Sequence, residues 1–171
     1  IYMEWLLYNS RPKFQRRAGL WKKDRKQIFI DSLLNTFDCP KIYCEAYNGV
    51  DDLGFKYGIV DGQQRLTTLI QFFRGEFKLS STFLFTPAGY CNLEEKDYPK
   101  AGDTYVKFSE PLKQYFKNMA VDIVYLEHWP KTLVREQFRR LNSHTPLVSP
   151  EYNNSYDKPL KTPTKEIAEQ P

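Results

Sequence analysis

The sequence predicts a mixed α+β domain (mixed α/β), and three observations support that class. Helical and extended hydrophobic patterns alternate along the chain, without the regular strand–helix–strand rhythm of a parallel sheet. The length of 171 residues fits one domain of ordinary size. Aromatic residues make up 16% of the chain, which is enough to build a hydrophobic core without staples.

The helices are predicted from apolar residues that recur every three or four positions. Pro40 limits the second predicted helix, Gly75 stops the third, and Pro130 opens the last. The predicted helical ranges are residues 1–8, 21–37, 66–73, 111–119 and 130–141.

The strands are predicted from short runs rich in β-branched and aromatic residues. Two of them, residues 41–47 and 55–60, are joined by the turn-rich sequence NGVDDLG, and a third spans residues 121–128. A weaker pattern, EFKLSSTFLF at residues 76–85, predicts one or two further short strands. Residues 151–171 contain several prolines and few apolar groups, so we predict a domain over residues 1–150 followed by a tail or linker.

Charge and cysteine usage exclude several classes of protein. The net charge of +4 is too mild to mark a nucleic-acid binder by itself. Three cysteines without a C-x-x-C spacing indicate neither a zinc site nor a disulfide framework, which favours a cytoplasmic protein. The sequence contains no apolar run of membrane-spanning length and no signal segment, so we expect no membrane partner.

One basic stretch stands out at residues 11–26, RPKFQRRAGLWKKDRK. Eight of its sixteen residues are Lys or Arg, and only Asp24 is acidic. Such a stretch is either a phosphate-binding surface or an ordinary solvated basic face, and both interpretations stay open.

The stretch GIVDGQQRLTTLIQFF predicts a candidate anion site. A strand that ends at Val60, a turn at Gly62 and a helix that begins near Gln63 bring free backbone N–H groups to one point. The positive end of the helix dipole lies at the same point, which attracts phosphate. Arg65 is suited to a bidentate phosphate contact. Alternatively, Asp61 simply caps the helix.

The last predicted helix offers a second set of polar residues. Arg135, Arg139 and Asn142 stand at i, i+4 and i+7, so they share one face opposite the apolar stripe. Two guanidinium groups on one face can neutralise a triphosphate. The alternatives are a solvated face, and a left-handed C-terminal cap at Asn142.

The motif VDGQQRLTTL resembles the Asp-Gly-Gln-Gln-Arg signature of the N-terminal domains of GmrSD-type type IV restriction endonucleases. Four further segments resemble that family's blocks in the same order. They are the opening segment RPKFQRRAGLWKKDRKQIFIDSLLNTFDCPKIY, then GEFKLS, VDIVYLEHW and VREQFRRLNSHTPLVSPE. The resemblance implies a ParB/sulfiredoxin-like fold with a small mixed sheet and flanking helices. It also implies a nucleoside-triphosphate site with hydrolysis, in a system that restricts foreign and often modified DNA.

The resemblance assigns roles to individual residues. Asp61, Gly62, Gln63, Gln64 and Arg65 match the signature: Gly62, Arg65 and the backbone are expected to hold phosphates, and Gln63 or Gln64 to position the attacking water.

A second group of nucleotide-binding candidates matches other family blocks. Gln15 and Arg16 match a Phe-Gln-Arg triplet, and the alternative for them is an ordinary surface loop. The resemblance also favours Arg139 and Asn142. Magnesium is expected to arrive with the triphosphate, and Asp61 is the only carboxylate we expect near it.

The resemblance also sets expectations about partners. DNA is an expected partner, a homodimer is possible, and a His-Asn-His-type nuclease is expected as a further domain or subunit. The segment of such a nuclease is absent from this sequence, so we expect no DNA cleavage by this chain alone. Two alternatives to an NTPase stay open: a nucleotide- or DNA-binding switch without turnover, and a structural domain that has lost its chemistry.

Overall fold

The computed structural model describes residues 8–9, 21–89 and 91–142. Four strands and four α-helices are present in this part of the chain, with two short 3-10 turns at Glu95–Asp97 and Tyr105–Lys107. In chain order the elements are β1 (Tyr8–Asn9), α1 (Lys23–Leu34), β2 (Ile42–Ala46), β3 (Tyr57–Asp61), α2 (Gln63–Phe73), α3 (Glu110–Lys117), β4 (Ile123–Leu126) and α4 (Lys131–Leu141).

The four strands form one mixed sheet in the order β1-β3-β2-β4. β2 runs antiparallel to β3 and parallel to β4, and β1 runs parallel to β3. The predicted mixed α+β class is therefore confirmed.

Helices cover both faces of the sheet. Side chains alternate between the two faces along each strand, so neighbouring residues of one strand pack against different helices. Ile59 of β3 joins a buried cluster with Leu66 of α2, whereas its neighbour Val60 joins a different buried cluster with Val134 and Phe138 of α4. β3 thus lies between α2 and α4, and its last residue, Asp61, leads directly into α2.

The largest part of the core lies between α1, α2 and the segment that follows α2. Phe72 is fully buried in it, and its ring lies 5.4 Å from Phe77, 5.7 Å from Phe108 and 5.5 Å from Phe116, measured between centroids. These ring contacts fix the position of α2, and therefore of the β3–α2 junction, against the rest of the domain.

α1 is shorter than predicted, ending at Leu34 rather than at residue 37. The buried Asn35 side chain accepts from the Thr86 N–H and donates to the Leu84 carbonyl, and Thr36 has a φ of 58°. These contacts turn the chain away from the helix axis before Pro40 is reached. As a result Phe37, the last residue of the predicted helix, is 54% exposed.

The predicted strand in residues 76–85 is wrong, because this segment has no ladder pairing. It is a loop that buries Leu79 and Phe83 while the Leu79 N–H donates to the carbonyl of Asp103. Tyr8 was predicted in a helix but lies in β1, where it pairs with Tyr57. The rest of that predicted helix, residues 1–7, lies outside the described residues.

The other predicted ranges differ from the observed elements by a few residues at their ends. α2 begins at Gln63, as the motif predicted, and three residues before the range predicted from its apolar stripe. α3 begins at Glu110 after an N-cap at Ser109. The predicted strand at residues 121–128 is reduced to β4, and the helix after Pro130 begins at Lys131. Boundaries are set by local hydrogen bonds that hydrophobic periodicity does not report.

Candidate functional site

The candidate site is the junction between β3 and α2. Asp61 ends the strand, Gly62 adopts a left-handed conformation with φ 97°, and α2 begins at Gln63. Within the described residues, no side chain caps the first turn of α2. The alternative in which Asp61 caps the helix is wrong, since its carboxylate Oδ2 instead accepts a hydrogen bond from Nη2 of Arg65 at 2.6 Å.

Gly62 is required here for two reasons. Its φ of 97° disfavours any residue that carries a Cβ. A Cβ at this position would also lie 2.9 Å from Cγ1 of Ile42 and 3.1 Å from Nη2 of Arg65. The glycine therefore lets β2, the turn and the Arg65 guanidinium approach one another closely.

We expect Gly62→Ala to lower the free energy of unfolding by about 2–4 kcal/mol, since the backbone strain and the contact with Ile42 add. Gly54→Ala is the matched control: Gly54 also has a positive φ, 84°, but a methyl group added there would meet no atom within 4 Å. It should lose only about 1–2 kcal/mol. Denaturant unfolding measures both, and equal losses would contradict the close packing inferred at Gly62.

Arg65 is held in place by two contacts of the same nitrogen. Nη2 donates to Asp61 Oδ2 at 2.6 Å and to the carbonyl of Lys41 at 3.0 Å. The Arg65 side chain is only 12% exposed, against 30% for Asp61. Nε of Arg65 is buried and has no hydrogen-bond acceptor in the described part of the chain. The guanidinium is thus oriented by Nη2, and Nε is left as a buried donor.

Gln64 links the junction to the beginning of α1. Its Oε1 accepts from the backbone N–H of Trp21 at 3.3 Å, whereas its Nε2 is buried without an acceptor among the described residues. Gln63, in the same turn, is 4% exposed. The two amides therefore pack against the protein interior. Polar side chains that only favour helix formation are normally exposed.

The junction collects buried donors at the positive end of a helix dipole. Gln64 Nε2 and Arg65 Nε lie in the first turn of α2, whose backbone N–H groups also lack a side-chain cap from the described residues. A buried donor without an acceptor costs about 1–3 kcal/mol, so such groups are rare unless a ligand or water accepts from them. The arrangement suits an anion with several oxygen acceptors.

Cys39 lies close enough to Arg65 for their charges to interact. Burial raises the pKa of its thiol, the charge of Asp38 raises it further, and the charge of Arg65 opposes both. The raised pKa disfavours the reactive thiolate form of Cys39.

α4 places the other predicted polar residues on the opposite face of the sheet from α2. Arg139 donates from Nε and Nη2 to both carboxylate oxygens of Glu136, at 2.8 and 2.7 Å, and Arg140 donates to Oε1 at 2.7 Å. These hydrogen bonds, first that from Arg139, lower the pKa of Glu136 to about 2. The charge of Arg139 is thus partly compensated within α4.

Asn142 follows α4 but does not adopt the left-handed cap conformation that was one alternative. Its φ is −99°, and its Nδ2 donates to the carbonyl of Phe138 at 2.8 Å. Asn142 is 9% exposed, so it does not share a solvated face with Arg139. The left-handed cap is wrong because the Asn142 amide bonds back to its own helix.

The structure brings together the five residues of the Asp-Gly-Gln-Gln-Arg motif in one turn. Gln15 and Arg16 lie outside the described residues. Arg135, Arg139 and Asn142 lie on or after α4, which packs on the face of β3 that points away from α2. Their nucleotide-binding role stays a prediction.

Sequence reasoning missed three contacts at the site and one on α4. The carbonyl of Lys41, the N–H of Trp21 and the side chain of Ile42 are tertiary contacts with no sequence signal. The ion pairs of Glu136 could have been predicted, because it stands three and four residues before Arg139 and Arg140, at helical salt-bridge spacing.

A dedicated metal cage is absent from residues 8–9, 21–89 and 91–142, which contain no group of three or more His, Cys, Asp or Glu side chains able to hold an ion. Asp61 is the carboxylate of the motif, and its Oδ2 is bound to Arg65. Asp61 is thus the one carboxylate that the motif could offer to a cation, and it shares that carboxylate with Arg65.

The sequence matches the family described as GmrSD restriction endonuclease, N-terminal domain, over residues 6–162. Searches among curated proteins and among solved structures gave no significant match. The described helices are all too short or too polar to cross a membrane.

The match defines the class of protein as a component of a restriction or phage-defence system. The match covers most of the chain. The chain therefore belongs to the GmrSD restriction endonuclease N-terminal domain family.

Proposed function

We propose that this domain binds a nucleoside triphosphate at the β3–α2 junction and hydrolyses it, coupling nucleotide use to DNA recognition in modification-dependent restriction. One observation carries the proposal: Gln64 Nε2 and Arg65 Nε are buried donors without acceptors in the described residues, at the first turn of α2, whose N-cap residue Gly62 has no side chain. Phosphate oxygens are the ligand atoms that satisfy such donors together with a helix N-terminus.

The motif residues divide the work as follows. Gly62 brings the turn close to the Arg65 guanidinium and is proposed to let the phosphates approach the backbone. Arg65, held by Asp61 and Lys41, is proposed to donate to them from Nε. Gln63 or Gln64 orients a water for attack on the terminal phosphorus, as a glutamine does in other NTPases. The water oxygen bonds to the terminal phosphorus as the bond to the bridging oxygen breaks. The nucleoside diphosphate leaves with that electron pair, and the water proton passes to an oxygen of the released phosphate.

Magnesium is proposed to enter with the triphosphate. It would neutralise phosphate charge, and Asp61 is the carboxylate of the motif that would offer it an oxygen. Arg139, with Asn142, Gln15 and Arg16, is proposed to complete the nucleotide site.

The proposed setting is cytoplasmic, with DNA and a His-Asn-His-type nuclease domain or subunit as partners and a homodimer as a possible assembly.

A switch that binds nucleotide or DNA without useful turnover is the second candidate. It is favoured by the engagement of Asp61, the carboxylate of the motif, with Arg65. A carboxylate that is bound in this way is a poor general base. In this case nucleotide binding would change the contacts of the junction and chemistry would be negligible.

The test is phosphate release from each of the four common nucleoside triphosphates with magnesium, with and without DNA. We expect turnover by the parent and an about 10–100-fold lower kcat for Gln64→Ala, because the amide is removed from the reacting water or phosphate. Gln114→Ala is the matched control, since Gln114 is exposed on α3 and bonds to Asn118 next to its own helix.

The outcomes separate the two candidates. Binding without phosphate release for all four nucleotides would establish the switch instead of the NTPase. If Gln64→Ala keeps the parent's turnover and affinity, the site does not lie at this junction.

A further inference from the structure

A second candidate site lies at the far end of α2 from the junction. A cavity of about 570 Å³ opens between the first turns of α1 and the C-terminal end of α2. Gln71 on the cavity wall stands seven residues after Gln64, so about 10 Å of helix separates this wall from the motif. Its walls carry Lys23, Lys26, Gln71, Glu76, Phe77 and Lys78. We call it the lysine groove.

The charge of the lysine groove is positive. Three lysines face one carboxylate, Glu76, which itself lies 3.9 Å from a guanidinium nitrogen of Arg74. The N-cap of α1, Lys22, provides no side-chain cap, so the positive end of the α1 dipole adds to the field beside Lys23. The C-terminal end of α2 opposes it with a partial negative charge. Formal charges nevertheless leave a surplus of two on the walls.

The walls of the groove are tied together by side-chain hydrogen bonds. Nζ of Lys26 donates to Oε1 of Gln71 at 2.8 Å, which joins α1 to α2. Nε2 of Gln27 donates to the carbonyl of Lys78 at 2.8 Å, which joins α1 to the segment after α2. Lys23 and Lys78 are exposed, so their ammonium groups reach solvent from walls of fixed spacing.

The basic surface continues outside the groove along α1. Lys22 and Arg25 are exposed on the same helical turns, and the Arg25 guanidinium lies 5.0 Å from the ring centroid of Trp21. These residues form the second half of the basic stretch at residues 11–26, so the structure places that half beside the groove.

We propose that the lysine groove binds the phosphodiester backbone of DNA, a role that rests on the proposed coupling of this domain to DNA. Lysines act as hydrated point charges and lack the planar fork that recognises one phosphate or one base edge. Exposed lysine heads on an open groove therefore suit backbone contacts that position DNA without reading its sequence. A separate location for DNA leaves the β3–α2 junction to the nucleotide.

The test is the binding of a fluorescent DNA duplex by the parent and by Lys23→Gln/Lys26→Gln/Lys78→Gln, followed by anisotropy over a range of salt concentrations. We expect the variant to bind about 10–100-fold more weakly at low salt. The magnitude of its slope of log affinity against log salt should decrease by about three, which is close to one for each lysine. Lys26 is half-buried, so the double variant Lys23→Gln/Lys78→Gln repeats the test with exposed positions alone.

The matched control is Lys56→Gln/Lys96→Gln/Lys117→Gln, which removes the same charge from exposed lysines elsewhere. It should keep most of the parent's affinity. In the opposite direction, Glu76→Gln should tighten DNA binding by about threefold, because it removes the one acidic side chain on the walls.

Nucleotide measurements on the same proteins distinguish this proposal from the proposed NTPase. The lysine variants should retain nucleotide affinity and phosphate release. If they lose nucleotide binding and keep DNA binding, the groove is a nucleotide site and the proposal is wrong. A parent that binds no duplex, or a triple variant that binds as the parent does, also overturns it. If the parent releases no phosphate but its DNA binding depends on these lysines, the proposed NTPase activity is wrong and the DNA-binding groove is supported.

Discussion

Phe72→Ala should lower the free energy of unfolding by about 3–5 kcal/mol, because it removes the ring on which the main core converges. Phe72 is fully buried on α2, and the rings of Phe77, Phe108 and Phe116 lie within 5.7 Å of it, measured between centroids. These three residues come from separate parts of the chain after α2. They cannot collapse into the space without moving the helix, so a cavity should remain.

The measurement is denaturant unfolding, with Phe37→Ala as the matched control. It deletes the same ring at a position that is 54% exposed, so its effect should stay below about 1 kcal/mol. In a thermal scan the core variant should lose about 6–20 °C, given the chain length. A Phe72→Ala protein that unfolds within about 1 kcal/mol of the parent would show that α2 is not anchored through this ring.

The class of fold was predictable because the elements that form the core have apolar residues at the spacing typical of their secondary structure. Leu66 and Leu69 of α2, and Val134 and Phe138 of α4, are buried as their helical spacing predicts. Residues 76–85 were not predictable, since EFKLSSTFLF alternates like a strand but has no neighbouring strand to pair with among the described residues. The Asn35 amide holds that segment through bonds to residues about 50 positions away, which no local pattern reports.

The candidate site was predictable as a location but not as a set of contacts. A strand end, a glycine and a helix start define the junction in the sequence, and the structure has the same three features at Asp61, Gly62 and Gln63. The sequence did not reveal that Asp61 binds Arg65, or that Gln64 accepts from Trp21. Both are hydrogen bonds whose partners depend on how the helices pack.

The two candidate surfaces lie at opposite ends of α2, which makes this helix the structural link between them. Its first turn carries the motif, and Gln71, near its end, accepts from Lys26 in the lysine groove. α1 also contacts both ends, through the N–H of Trp21 at Gln64 and through Lys26 at Gln71. A shift of α1 along α2 would therefore change both surfaces at once.

Arg65→Ala should reduce phosphate release at least about 100-fold, the largest functional effect we expect from a single substitution. The side chain is 12% exposed, is held by Asp61 and the Lys41 carbonyl, and presents Nε as a buried donor. Removing it takes away both a positive charge and a donor aimed at the phosphates. It also leaves the Asp61 carboxylate without its partner, so a stability loss of about 1–3 kcal/mol accompanies the loss of activity.

Arg65→Lys separates the geometric contribution from the charge. It keeps a cation near Asp61 but lacks Nε, so we expect turnover to fall about 10–100-fold while stability stays closer to the parent. Arg140→Ala is the control, since Arg140 is exposed on α4 and bonds to Glu136. Phosphate release and nucleotide affinity are measured below the unfolding temperature of every variant. A folded Arg65→Ala protein with turnover within about threefold of the parent would exclude this guanidinium from the reaction. Losing a contact with the reacting phosphate should lower the rate by more than that.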